Sequence, residues 1–137
     1  MSVEIICRSC GRHLTGPCQW GIEGNYDHTC VDRMPAVPKG LLIRLSVEDA
    51  VDATLANGTV ERKVYSEAGA VAANPEDIIK DGLDRAGIDN GCCGSDGIDG
   101  PNRACVCGSM VATQWSDCWT QAEVRFLPQA VRASETP

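Results

Sequence analysis

The sequence predicts an α+β fold, a small antiparallel sheet with two helices, pinned by one or two cysteine sites. Three observations lead there. Short runs of β-type residues flank the middle of the chain, two stretches carry helix start and stop signals, and nine cysteines gather in two glycine-rich segments. A length of 137 residues suits a single domain spanning 1–137.

Residues 1–38 form an N-terminal cysteine-rich segment with little periodicity, holding Cys7, Cys10, Cys18 and Cys30, with His13 and His28 as possible substitutes. After Pro35 and Pro38 the character changes, and 39–89 reads as scaffold. Leu41-Leu42-Ile43-Arg44-Leu45 is a short apolar run expected to be a buried strand. Ser46 then offers a helix N-cap, Glu48 and Asp49 favour the first turn, and Val47, Ala50, Val51 and Leu55 share one helical face before Asn57-Gly58. Thr59 to Tyr65 is β-compatible and expected as an exposed strand. A second helix is expected from Pro75 to Ala86. Asn74 is its N-cap, Pro75 its first residue, and Ile78, Ile79, Leu83 and Ala86 its apolar stripe before Gly87.

Residues 90–127 hold the second cysteine-rich segment and a strand. In that strand Thr120, Ala122, Val124 and Phe126 alternate with Gln121, Glu123 and Arg125, the pattern of a strand with one buried face. Trp115 and Trp119 flank Cys118 and default to core packing. Pro128 stops the strand, and 128–137 is a tail expected to be disordered from Ala133 onward.

The cysteines carry the chemistry. Cys7-x2-Cys10-Gly11 and Cys105-Val106-Cys107-Gly108 each place two sulfurs where one tight turn could aim both at a single ion, as tetrahedral zinc requires. A disulfide framework competes with this reading, but the count is odd, and the length allows a sizeable core without covalent staples. The opening Met1-Ser2-Val3-Glu4-Ile5-Ile6 also lacks the basic segment and apolar run of an export signal, so a cytoplasmic location is expected. The simplest partition of zinc ligands is an N-terminal site of Cys7, Cys10, Cys18 and Cys30 and a C-terminal site of Cys93, Cys105, Cys107 and Cys118. Cys92 is then spare, because adjacent cysteines seldom both ligate one ion comfortably. A single site is the other arrangement, with Cys7 and Cys10 meeting Cys105 and Cys107 across the fold.

The Cys7–Gly11 turn resembles the zinc knuckle shared by zinc ribbons and rubredoxin-like modules. The resemblance covers residues 7–11 alone and implies a way of holding zinc, not a function. In combining a CxxC with a CxC pair the chain is also similar to the redox-regulated holdase chaperones, in the reverse order and at longer separation.

Twelve basic against nineteen acidic residues give a formal charge of −7, which disfavours nucleic acid, whose binding draws on Lys and Arg. Apolar runs such as Ala70–Ala73 are too short to cross a bilayer. Asp96-Gly97-Ile98-Asp99-Gly100 lacks the alternate carboxylates and terminal Glu of a calcium loop. A thiol protease would need an accessible imidazole, and both histidines fall in the first cysteine segment. All-sulfur zinc sites are usually closed and structural. The expected function is therefore a non-catalytic, cytoplasmic, zinc-binding interaction module with a protein partner, an acidic inhibitor or immunity-type protein being one form. The alternative is a redox-responsive zinc-thiolate protein that releases metal on oxidation.

Overall fold

The computed structural model describes residues 1–27, 32–46, 49–54 and 60–137. Its elements are β1 (Ser2–Cys7), β2 (Gln19–Trp20), β3 (Leu41–Arg44), β4 (Asp49–Thr54), β5 (Val60–Ser66), β6 (Val71–Ala73), β7 (Leu83–Arg85), β8 (Arg103–Cys105), β9 (Met110–Trp115), β10 (Glu123–Phe126) and β11 (Val131–Thr136). Among the described residues the helical segments are two single 3-10 turns, Glu23–Asn25 and Pro75–Asp77. The fold is thus nearly all β, and the expected α+β arrangement with two helices is overturned.

Seven strands form one sheet in the order β2-β3-β6-β10-β9-β8-β7, antiparallel except for the parallel pair β2–β3. Period-two alternation gives this sheet two buried faces. On one face Leu42, Val71, Ala73, Val124 and Phe126 join Val3, Ile5, Cys7 and Val131 of the β1–β11 ribbon in the main core cluster. On the other face Ile43 and Ala72 pack with Tyr26, Ala36 and Val37. β1 and β11 pair antiparallel over their full length, Ser2 against Thr136 through Cys7 against Val131. The expected disordered tail is therefore a strand, and its partner is the N-terminus.

The first expected helix falls where β4 and β5 form an antiparallel hairpin, with Asp49 opposite Ser66 and Thr54 opposite Val60. The parts of that expectation resting on Val47, Glu48, Leu55 and Asn57-Gly58 lie outside the described residues. The second expected helix starts as the sequence indicates: Asn74 Oδ1 accepts the Glu76 N–H at 2.9 Å. It then stops after one turn. Ile78 turns extended (φ −74°, ψ 134°), the Ile79 N–H goes to the Leu14 carbonyl at 3.0 Å, and Asp81 takes a left-handed φ of 61°. A bond to a segment distant in sequence has replaced the local ladder.

The strand from Glu123 to Phe126 has both faces buried, where the alternation had implied one. Val124 and Phe126 sit in the main core, and Glu123 and Arg125 are covered on the opposite side. Burial of these charges is tolerable because they are paired and bonded. Arg125 Nε donates to Glu123 Oε2 at 2.8 Å, Arg125 Nη2 to the Tyr26 hydroxyl at 2.7 Å, and the Tyr26 hydroxyl in turn to Glu123 Oε1. The guanidinium also lies 5.1 Å from the ring centre of fully buried Trp115.

Candidate metal centres

The first centre grows from two turns of the same design. β1 ends at Cys7, whose carbonyl accepts the Gly11 N–H at 2.8 Å while its own N–H goes to Arg12. β8 ends at Cys105, whose carbonyl accepts the Gly108 N–H at 2.8 Å while its N–H goes to Ser109. Gly11 (φ 79°) and Gly108 (φ 95°) both occupy the left-handed region that a side chain disfavours. Each turn carries its second cysteine, Cys10 or Cys107, outward. Thr15 helps hold β1 in line, its buried Oγ1 accepting the Ile5 N–H at 3.0 Å.

Packing the β1–β11 ribbon on the main sheet brings the two turns face to face. Cys7 Sγ lies 3.7 Å from Cys107 Sγ, Cys10 Sγ lies 3.6 Å from Cys105 Sγ, and all four sulfurs fall within 4.8 Å of one another. A tetrahedron with metal–sulfur bonds of about 2.3 Å has sulfur–sulfur edges of about 3.8 Å. A disulfide would need about 2.05 Å. The spacing therefore matches four sulfurs around one ion. Cys7 and Cys105 are buried, Cys10 and Cys107 exposed. Burial pushes the Cys105 thiol up to about 12, whereas the Ser109 N–H lowers Cys107 to about 7. Cys107 is thus the readier thiolate of the two, and an arriving cation must displace the proton that burial holds on Cys105.

The second centre lies in the loop between β7 and β8 and the turn after β9. Cys92 Sγ is 3.3 Å from Cys93 Sγ and 3.4 Å from Cys118 Sγ, and the buried Asp117 carboxylate completes the group. Gly91 and Gly94 bracket the cysteine pair, and both are required by close approach. A Cβ on Gly91 would lie 1.7 Å from the Gly94 carbonyl oxygen, and one on Gly94 would lie 2.4 Å from that of Ser116. Arg33, itself at φ 64°, braces the same loops by donating to the carbonyls of Cys93 (2.9 Å) and Ser116 (3.1 Å). Arg103 anchors the loop below, reaching Asp89 Oδ2 at 3.1 Å and Ser95 Oγ at 2.8 Å. Burial opposes the Asp117 charge, but N–H bonds from Cys118 and Cys93 outweigh it and hold the carboxyl at about 2.

The cysteines thus associate differently from the simplest partition. Cys7 and Cys10 meet Cys105 and Cys107, the single-site arrangement, while Cys93 and Cys118 meet Cys92, which the sequence had left spare. Cys18 stands apart: it is buried and donates to the Gly16 carbonyl at 3.4 Å, and burial raises its thiol to about 11. Cys30 and His28 lie outside the described residues, and His13 pairs with Glu4 at 3.2 Å. Asp117 was missed because a carboxylate beside a cysteine is unremarkable in sequence. Trp115 is core, as expected, while Trp119 bonds to Asp117 Oδ2 at 2.9 Å. Asp96 Oδ1 accepts the Ile98 N–H at 3.1 Å, the local turn that this Asp-Gly-rich run prefers. The eight cysteines among the described residues are all free thiols.

Among the described residues two groups are therefore geometrically able to hold a metal ion. Among the described residues no helix is long and apolar enough to cross a membrane. No protein family, curated protein or solved structure matches the chain.

Proposed function

We propose that the chain is a non-catalytic zinc-binding domain that works by presenting a metal-stiffened acidic surface to a protein partner. The observation that carries the zinc reading is the four-sulfur group of Cys7, Cys10, Cys105 and Cys107, whose sulfurs all lie within 4.8 Å of one another. Four thiolates are the donor set of closed structural zinc sites, and they leave no coordination position for a reacting water. The group contains no imidazole or carboxylate to serve as a general base. The eight free thiols among the described residues also suit a reducing compartment such as the cytoplasm.

The partner reading rests on charge. A formal charge of −7 repels nucleic acid and favours encounter with a basic protein surface. An inhibitor-type or immunity-type role is one form this would take.

Native mass spectrometry of the full chain, prepared under reducing conditions, tests the metal. Zinc retained at neutral pH and lost in acid supports the proposal. A metal-free, folded chain with paired disulfides overturns it. In-cell crosslinking followed by salt titration of the captured complex tests the partner: salt-induced dissociation supports an acidic docking surface, and capture indifferent to salt overturns it.

A further inference from the structure

We propose that Cys92, Cys93 and Cys118 form a second, three-thiolate site for a thiophilic metal ion, in which Asp117 positions the sulfurs without ligating, so that one coordination position is open to an external ligand. This site is separate from the four-sulfur group and does not depend on it.

Asp117 is already committed as a hydrogen-bond acceptor. A carboxylate offers about four lone-pair positions on its two oxygens. Asp117 Oδ1 accepts the backbone N–H groups of Cys93 (3.0 Å) and Cys118 (2.8 Å). Its Oδ2 accepts the backbone N–H of Cys92 (3.3 Å) and the indole N–H of Trp119 (2.9 Å). The acceptor capacity is full, and the side chain is 1% exposed. A bond to zinc would require an oxygen at about 2.0–2.2 Å from the ion and the surrender of at least one of these donors.

Three of those four donors are the N–H groups of the three cysteines themselves. Asp117 therefore gathers the backbones of Cys92, Cys93 and Cys118 around one buried charge, and the sulfurs follow: they lie 3.3 and 3.4 Å apart and face solvent. Gly91 and Gly94 allow the loop to come close enough for this. Convergence of three exposed sulfurs costs mutual repulsion once they are thiolates, and a soft cation offsets that cost. The fourth position is the solvent side, and among the described residues the one further ligand-type group within 4.8 Å of the sulfurs is Asp117, already taken up by its backbone and indole donors. Three protein ligands and one exchangeable position distinguish reactive or transferable zinc from the closed structural kind. The site would accordingly take zinc or a softer ion and bind a small donor such as a thiol, an imidazole or a partner's side chain.

Cobalt(II) is the probe, because its visible spectrum reports ligand number and is read ion by ion. The full chain is titrated with cobalt under reducing conditions, then with imidazole. The expected result is two ions per chain, with imidazole shifting the bands of one of them. Cys92→Ser should bind one ion, with no imidazole response. Cys18→Ser should behave as the parent. Asp117→Asn should weaken the second ion about 10–100-fold, as loss of an outer-shell partner does, while keeping its sulfur bands and its imidazole response.

Binding of one ion by the parent chain would overturn this inference and leave the four-sulfur reading intact. Two ions with no imidazole response would show that a protein group closes the fourth position. Two ions in Cys92→Ser would return Cys92 to the role of bystander. If no ion binds at all, both readings fall together.

Discussion

Cys7 and Cys107, 100 residues apart in the chain, hold their sulfurs 3.7 Å from each other, and the terminal β1–β11 ribbon and the seven-stranded sheet meet at that point. An ion held there would tie the chain's first strand to the turn between β8 and β9. Closing a loop of that size is where a cross-link removes the most unfolded-state freedom.

Cys105→Ser should therefore abolish binding at the four-sulfur centre and lower stability substantially. If the whole cross-link is lost, the chain-entropy argument for a loop of about 100 residues gives an upper figure of about 4–5 kcal/mol. Hydrogen exchange should rise first along β1 and β11, and later in β6 and β10 at the centre of the sheet. Denaturant midpoints of the zinc-loaded and chelated chain provide the check, and chelation alone should reproduce most of the loss.

Glu123→Leu should be among the most damaging single changes outside the cysteines. It leaves Arg125, 2% exposed, without the carboxylate that receives its Nε at 2.8 Å. Removing one member of a buried ion pair typically costs about 3–5 kcal/mol. Tyr26→Phe, which removes one hydroxyl from the same network, should cost about 1–3 kcal/mol. Thermal unfolding of both variants tests this order, and a Tyr26→Phe loss exceeding that of Glu123→Leu would refute it.

Cys18 should remain an unreactive thiol in the folded chain. Burial raises it to about 11, with the Asp77 and Glu4 charges adding to the effect. A thiol whose folded pKa lies above its unfolded value favours the folded state at any pH below the unfolded value. That contribution is lost as pH rises from about 9 toward about 11. Alkylation followed by mass spectrometry should label Cys18 last, and Cys18→Ala should flatten the alkaline decline in stability.

Two glycines predict opposite outcomes for the same substitution. Gly11→Ala meets no atom within 4 Å, so only its left-handed backbone (φ 79°) opposes the change, at a cost of about 1–2 kcal/mol. Both centres should still load. Gly94→Ala would drive a methyl to 2.4 Å from the Ser116 carbonyl, so the loop must shift. Metal at the Cys92–Cys93–Cys118 group should be lost or much weakened while the four-sulfur centre is kept. Metal counting on the two variants separates these cases.

Local signals in the chain determined local structure. Leu41–Arg44 and Val60–Ser66 are strands as their composition implies, Asn74 caps the turn at Pro75, and the two Cys-Gly turns bend as their glycines demand. That cysteines gather in groups geometrically able to hold an ion was equally legible, because ligand type and turn spacing are properties of a few adjacent residues.

Tertiary structure decided the rest, for a physical reason visible in particular residues. Ala50 and Val51 sit in a hairpin and Leu83 in an edge strand, although both stretches carry helical stripes. A strand's hydrogen bonds come from a partner distant in sequence, and helix propensity is too small to outweigh a well-placed partner. Glu123 and Arg125 look like an exposed face until Tyr26, 97 residues from Glu123, covers them. The grouping of cysteines is the same kind of fact. Which sulfurs share an ion depends on which strand ends the sheet order brings together, and only the folded chain places Cys7 beside Cys107 and Cys92 beside Cys118.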